Sequence, residues 1–157
     1  MPENNFNVQS IKDFSRINPK LVNIYSCWEE DVAITPGQLT EEGGKYAVLS
    51  LTTAVQALKD GHIQGLVTAP INKKNTQSDT FPYTGHTPYL KAAFEAKEVV
   101  MMMVAANMRV ALLTEHVPVT GVGPFITKAN ILSKLKLVEE SLVKDFGIEK
   151  PKIALLE

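Results

Sequence analysis

Two histidines stand where a folded protein could use them for chemistry, each beside other polar side chains. His86 lies in the segment T-G-H-T at 84–87, directly before a helical pattern, and His116 follows the apolar run 109–114. Neutral imidazole binds divalent metals and transfers protons near neutral pH, and backbone amides at the start of a helix can hold an anion. These features make His86 and Thr87 candidates for anion binding and His116 a candidate for metal ligation or proton transfer.

Each of these polar segments also has a purely structural interpretation. Isolated surface histidines are commonly solvated, and no local spacing such as HxxxH joins these two. The threonines of the 84–87 segment are suitable helix caps. A third polar segment, 68–74, follows a predicted buried strand, yet its Lys73 and Lys74 are typical of solvent-exposed charges because no GxxxxGK(S/T) or GxGxxG motif surrounds them. Residue type and position leave both interpretations open.

Hydrophobic periodicity predicts the elements that position these segments. Alternation over 21–25 indicates a short strand, and apolar residues at three- and four-residue steps indicate a helix over 44–60. Gly61 is placed to end that helix. The short apolar segment 65–68 follows as a buried strand. Strand, helix and strand in succession form a βαβ unit, which predicts that the two strands pair in parallel.

The second half of the chain predicts further helices and strands. A helix is expected over 88–96, and two apolar runs, 99–104 and 109–114, flank a tight turn typical of an antiparallel hairpin. Thr127 can cap a long amphipathic helix, and 152–156 has the pattern of a last strand. The sequence therefore predicts a layered α/β fold with a mixed, mostly parallel sheet.

Composition limits the classes of protein to which the chain can belong. Its 157 residues suffice for one ordinary domain, which we expect over 20–157 after a weakly structured segment, 1–19. The net charge of −1 gives no basic excess for nucleic-acid binding. The single cysteine, Cys27, excludes an intramolecular disulfide, the polar N-terminus argues against a signal peptide, and no apolar stretch is long enough to span a membrane. These features predict a soluble cytoplasmic protein with neither nucleic-acid nor membrane partners.

Three short motifs follow one another along the chain. They are V-T-A-P-I-N-K at 67–73, T-G-H-T at 84–87, and R-V-A-L at 109–112 leading into H-V-P at 116–118. In order and spacing they resemble the 4-hydroxythreonine-4-phosphate dehydrogenase family of pyridoxal phosphate biosynthesis. The resemblance extends over most of the chain from about Val32.

The resemblance implies an NAD-dependent oxidoreductase with a divalent metal, Zn, Mg or Co. Such an enzyme oxidises a hydroxyl of 4-phosphohydroxy-L-threonine, and the resulting β-keto acid loses CO₂ while the metal polarises the oxygen. The resemblance further implies that His86 and Thr87 contact this phosphorylated hydroxy-amino acid and that His116 is a metal ligand. It implies layered α/β/α domains like those of isocitrate and isopropylmalate dehydrogenases, with the site in a cleft between two domains of a homodimer.

The chain departs from the family pattern in two residues and in length. Pro88 stands where the family usually has Glu, and Glu115 where Thr is common, which leaves open a related dehydrogenase acting on another four-carbon phosphorylated hydroxy acid. The family's opening strand, its other two metal histidines and most of its cofactor site have no counterpart here. We therefore expect an excised middle segment of a longer enzyme, able to fold but inactive alone.

Two other classes of protein remain as alternatives. The first is a non-catalytic α/β module that dimerises or binds a phosphorylated metabolite. The second is a phosphate acyltransferase-like enzyme, against which the histidines argue because that chemistry requires no histidine-bound metal.

Overall fold

A computed structural model describes residues 7–156, and these fall into two units, 7–94 and 95–156. The first unit contains strands β1 (Val8–Ile11) and β2 (Val22–Tyr25) and helices α1 (Glu41–Lys59), α2 (Lys73–Thr76) and α3 (His86–Ala93). The second unit contains strands β3 (Met102–Ala105) and β4 (Met108–Ala111) and helix α4 (Lys128–Lys144). Short 3₁₀ helices lie at Phe14–Arg16, Val119–Gly121 and Gly123–Phe125.

Strand β2 confirms the predicted strand at 21–25, but its parallel partner differs from the predicted one. β1 pairs with β2 in parallel, from Val8 opposite Val22 to Ile11 opposite Tyr25. The predicted βαβ unit is therefore wrong in its second strand, because 65–68 has no ladder partner among residues 7–156. Strand β1 also lies inside the first 19 residues, where the sequence indicated little regular structure. A four-residue strand is stabilised by its neighbour, which its own periodicity does not reveal.

Helix α1 supplies the core of the first unit. The prediction of a helix over 44–60 is confirmed to within one turn. The helix begins at Glu41, because the Thr40 hydroxyl accepts a hydrogen bond from the Gly43 backbone amide and caps the first turn. Gly61, at φ +75°, ends the helix as predicted. On the inner face, Leu51 and Val55 pack against Phe81, which is 1% exposed.

Helix α2 packs so closely on the first turn of α1 that only glycine fits between them. A Cβ atom placed on Gly44 would lie 1.8 Å from the backbone oxygen of Asn75. The side-chain amide nitrogen of Asn75, Nδ2, donates a 2.7 Å hydrogen bond to the Thr40 carbonyl oxygen and so joins α2 to the start of α1. Gly44 therefore sets the position of helix α2, which begins at Lys73.

We expect Gly44→Ala to lower the free energy of unfolding by about 2 kcal/mol. Helix propensity alone would raise it by up to about 1 kcal/mol, so the sign of the change tests the contact. Urea denaturation of Gly44→Ala and Gly43→Ala measures the difference. At Gly43 the nearest atom to a new Cβ is the movable Thr40 hydroxyl at 3.0 Å, so its cost should stay under about 1 kcal/mol. A stabilised Gly44→Ala variant would contradict the contact.

A tyrosine and a carboxylate are paired at the start of α1. The Tyr46 hydroxyl donates a 2.6 Å hydrogen bond to Glu30 Oε1. This bond stabilises the neutral phenol, and the nearby negative charge disfavours the phenolate, which together raise the pKa of Tyr46 to about 12. The same bond lowers the pKa of Glu30.

Replacing Glu30 by Gln should return the pKa of Tyr46 from about 12 toward its ordinary value of 10.0. The physical reason is that Gln can accept the hydrogen bond but brings no charge against the phenolate. Ultraviolet titration of phenolate absorbance measures the shift, and Tyr46→Phe identifies which transition belongs to Tyr46. Glu29→Gln is the matched control, since Glu29 pairs with Lys12 instead. An unchanged transition in Glu30→Gln would disprove the pairing.

The second unit confirms the predicted hairpin and long helix. β3 and β4 pair antiparallel, and the Thr127 hydroxyl caps α4 by accepting from the Asn130 amide at 3.2 Å. Lys134 of α4 forms an ion pair with Glu98 at 3.4 Å. The predicted last strand is wrong, because 152–156 has no ladder partner within the described residues.

The architecture is thus an α/β fold, as predicted, but the predicted mixed, mostly parallel sheet is wrong. The described residues form one small parallel and one small antiparallel sheet that share no strand. The prediction that 20–157 form one domain of a longer enzyme stays a prediction. Within residues 7–156, every helix is too short or too polar to cross a membrane.

Candidate functional site

The T-G-H-T segment forms the start of helix α3. Gly85 is the N-cap, with φ +155° and ψ −171°, a conformation that favours glycine. His86 and Thr87 form the first turn, so the helix begins earlier than the predicted 88–96. No side chain of the described chain caps this end, so neither threonine acts as the cap. The backbone N–H groups of His86 and Thr87 therefore lie at the N-terminal end of α3, where the partial positive charge of the helix attracts anions.

Three aromatic rings hold helix α3 on the core of the first unit. The rings of Phe81, Tyr83 and Tyr89 contact one another with centroids 5.0 to 5.3 Å apart. Burial, followed by the charge of Tyr83, raises the pKa of Tyr89. Tyr83 and Tyr89 are therefore core residues, and their packing fixes the direction of the first turn of α3.

Lys73 brings a second predicted segment to the same place. The Asn72 side chain caps α2 by accepting from the Lys74 amide at 3.0 Å, so Lys73 is the first residue of that helix. A Cβ atom on the buried Gly85 would lie 3.5 Å from Lys73 Cε. The side chain of Lys73 thus passes the N-cap of α3, whose first turn carries no acidic residue. The motifs at 67–73 and 84–87, separate in sequence, meet here in a cationic arrangement.

Sequence reasoning treated Lys73 as a solvent charge and so missed this contact. The side chain is exposed, as expected for a lysine, but it lies beside Gly85. The available signal was Asn72, whose type before two lysines indicates a helix cap and therefore a fixed direction for the next residue.

His116 lies in the second unit, in the loop after strand β4. It is exposed, and its backbone has φ +57°, a left-handed conformation that costs a non-glycine residue roughly 1 kcal/mol or more. Beside it, Glu115 Oε2 is buried without a hydrogen-bond partner among the described residues. Strained backbone of this kind occurs often at functional sites, but the metal-binding role of His116 stays a prediction.

The side chains present do not by themselves make a metal site. Within residues 7–156, no three His, Cys, Asp or Glu side chains lie together as a potential ligand set. Catalytic zinc sites commonly use three protein ligands, so His116 could supply one ligand but could not hold the ion alone. His86 and His116 belong to different units.

A cavity of about 450 Å³ lies elsewhere in the first unit, between its sheet and α1. Phe14, Tyr25, Cys27 and Ala54 are among its lining residues. The rings of Phe14 and Tyr25 are stacked at 4.5 Å. None of the histidines selected from the sequence lines this cavity, so it is separate from the cationic arrangement at α3.

Comparison with known proteins gives a consistent result. The family described as "Pyridoxal phosphate biosynthetic protein PdxA" matches residues 2–156. A 4-hydroxythreonine-4-phosphate dehydrogenase of Sulfurihydrogenibium is 37% identical over 149 residues, covering 95% of this chain and 45% of the relative. The corresponding protein of Bacteroides thetaiotaomicron is 35% identical over 136 residues, covering 86% of this chain and 37% of that protein.

A solved structure supports the same relationship. The crystal structure of a 4-hydroxythreonine-4-phosphate dehydrogenase from Burkholderia phymatum matches with a TM-score of 0.73 and 27% identity, over 94% of this chain and 45% of that one. The chain thus spans less than half the length of these relatives. With a family match over nearly its whole length, the chain belongs to the PdxA family of pyridoxal phosphate biosynthetic proteins.

Proposed function

We propose that the chain is a segment of an NAD-dependent, divalent-metal-dependent dehydrogenase that oxidises and decarboxylates 4-phosphohydroxy-L-threonine in pyridoxine biosynthesis. Support comes from the names of its relatives and from the cationic arrangement at the start of α3. The observation that carries the proposal is the approach of Lys73 to Gly85, because it joins two of the motifs at a helix end suited to an anionic substrate.

In this proposal the first unit binds and orients the substrate. The amides of the first turn of α3 and the Lys73 ammonium attract its anionic groups. The imidazole of His86 and the hydroxyl of Thr87 contact the substrate directly. Both side chains are half-buried. A ligand can therefore reach them, while packing against neighbouring residues restricts their orientation.

The remaining parts of the proposed enzyme lie outside these residues. His116 is proposed as one metal ligand, with the other ligands and most of the NAD site supplied by segments that this chain does not span. We further propose a layered α/β/α domain, a homodimer and a cytoplasmic location, the last because Cys27 is a free thiol. The isolated chain is accordingly expected to be inactive.

A related dehydrogenase acting on another four-carbon phosphorylated hydroxy acid is the second candidate. Pro88 favours it, because this residue removes an amide from the third position of α3 and stands where the family usually has Glu. The carboxylate that the family usually carries at that position is thus absent from the chain.

A chimeric enzyme tests the proposal. In it, this chain replaces the matching 149 residues of the Sulfurihydrogenibium dehydrogenase, and NADH formation is followed with 4-phosphohydroxy-L-threonine and a divalent metal. We expect turnover by the chimera and none by this chain alone. Turnover with another four-carbon phosphorylated hydroxy acid alone would favour the second candidate. A folded chimera inactive with all of them, as a non-catalytic module would be, would disprove the enzymatic proposal.

A further inference from the structure

The cavity between α1 and the sheet of the first unit has the size of a small-molecule site. Its volume is about 450 Å³, and pockets that bind small molecules commonly measure about 300–1,000 Å³. The side of α1 that lines it carries only small side chains, Thr53, Ala54 and Ala57. The large side chains of Leu51 and Val55 pack instead against the core. Since protein interiors are otherwise close-packed, a space of this size is available to a ligand.

One wall of the cavity is a stack of aromatic rings. The ring of Phe14 is stacked on Tyr25 at 4.5 Å and on His62 at 4.6 Å, with ring planes 2° and 14° apart. Phe14 and Tyr25 both line the cavity. Because Phe14 is held between two rings, the wall keeps a flat apolar shape. Such a surface favours a ligand that is itself a flat ring, which can stack on it or meet it edge to face.

Two hydroxyl groups of α1 line the cavity without hydrogen bonds. Ser50 and Thr53 are one turn apart on the helix and share a face, and neither hydroxyl bonds to another described residue. The neighbouring Thr52 hydroxyl, by contrast, donates to the Leu49 carbonyl oxygen at 3.1 Å. The side chain of Asn23, which also lines the cavity, is occupied by hydrogen bonds within its own loop. Ser50 and Thr53 therefore supply the free polar groups on the helix side.

The lining carries no formal charge. No Asp, Glu, Lys, Arg or His is among the described residues that line the cavity. A charged ligand moved from water into such surroundings loses hydration without gaining a partner of opposite charge. An uncharged ligand has no such penalty, so the lining selects for a neutral molecule.

We infer that this cavity binds a small uncharged aromatic compound whose ring carries a hydrogen-bonding group such as a hydroxyl. The ring contacts Phe14 and Tyr25, and the substituent bonds to the hydroxyls of Ser50 and Thr53. The inference goes beyond the proposed function and does not depend on it, because the cavity is lined by none of the residues assigned to substrate or metal.

Naphthol is the test ligand, and naphthoate, the same ring system with a carboxylate, is its matched control. Calorimetric titration of this chain should give saturable naphthol binding with a Kd of about 1 mM or tighter. Naphthoate should bind at least about tenfold more weakly, because its charge has no partner in the cavity.

Cys27 reports where the ligand binds. It is the single cysteine of the chain, and it lines the cavity, so its alkylation by iodoacetamide depends on whether the cavity is occupied. Naphthol at about four times its Kd should slow the alkylation about fivefold, because the cavity is then empty in only about one molecule in five. Naphthoate at the same concentration should have little effect.

Three variants test the contacts. Thr53→Val should weaken naphthol binding about three- to tenfold through loss of one hydrogen bond, whereas Thr52→Val, the same change at the next residue, should leave it unchanged. Ala54→Phe should fill the cavity and abolish both binding and the protection of Cys27. Thermal melting checks that each variant folds, and the two valine variants decide the matter if Ala54→Phe does not. Unsaturable binding, unprotected Cys27, equal affinity for naphthoate, or equal effects of the two valine variants would each overturn the inference. The readouts need no turnover.

Discussion

In the active chimera, His86→Ala and His116→Ala should each lower kcat/KM by a factor of about 100 or more, while His62→Ala should leave it within about twofold. Removing one positioned donor from an active site typically costs about 10²–10³ in rate, and loss of a metal ligand has a comparable effect. His62 is the matched control because it is exposed and its ring contacts Phe14 at 4.6 Å rather than any residue of the candidate site. Substitution of an exposed residue usually changes the free energy of unfolding by about 0.5 kcal/mol or less.

Bound metal distinguishes the two sensitive histidines. If His116 is a ligand, His116→Ala should lower the metal content of each subunit, whereas His86→Ala should retain the metal and fail in substrate binding or turnover. Metal analysis of the purified variants measures the first effect, and substrate titration measures the second. Equal metal content in all three histidine variants, or wild-type turnover by His116→Ala, would remove His116 from the site.

The long helices could be predicted from the sequence because their signals are local. Helices α1 and α4 each combine an apolar stripe with a threonine cap, Thr40 and Thr127, and with a glycine beyond the last turn, Gly61 and Gly147. Each of these signals lies within a few residues of the backbone groups it satisfies. The hairpin of β3 and β4 was predictable for the same reason, since its two strands are neighbours in sequence.

The parallel strands could not be predicted in the same way, because a strand depends on a partner that its own residues do not specify. The segments 65–68 and 152–156 have the composition of strands, yet neither has a ladder partner within residues 7–156. β1 lacks a clear pattern of its own but gains four paired residues from β2. Local propensity is a weak guide when the partner determines the outcome.

The candidate site shows the same division between local and tertiary information. His86, Thr87 and His116 could be chosen by type and by position beside predicted elements, but the start of α3 at Gly85 was not predicted, because the sequence pattern placed the helix over 88–96. The approach of Lys73 to Gly85 could not, because it depends on how closely α2 packs on α1 at Gly44. That packing is a property of the assembled core.

Phe81→Ala should have the largest effect on stability and lower the free energy of unfolding of the first unit by about 3–5 kcal/mol. Phe81 is 1% exposed and belongs to a cluster with only two other buried hydrophobic residues, Leu51 and Val55. Its ring also contacts Tyr83 at 5.2 Å and Tyr89 at 5.0 Å, and such aromatic pairs add about 0.5–1.5 kcal/mol each. A domain is stable by only about 5–15 kcal/mol in total.

The position of Phe81 links this loss of stability to the site. Without its ring, Tyr83 and Tyr89 lose the surface that holds α3, so the first turn with His86 should become mobile before the unit unfolds. Urea denaturation followed by near-ultraviolet circular dichroism measures the stability, and amide exchange at α3 measures the local opening. Phe125→Ala is the control, since Phe125 is 44% exposed and its loss should cost under about 1 kcal/mol. If Phe81→Ala lowered stability without faster exchange at α3, the aromatic cluster would not be what positions the candidate substrate-binding turn.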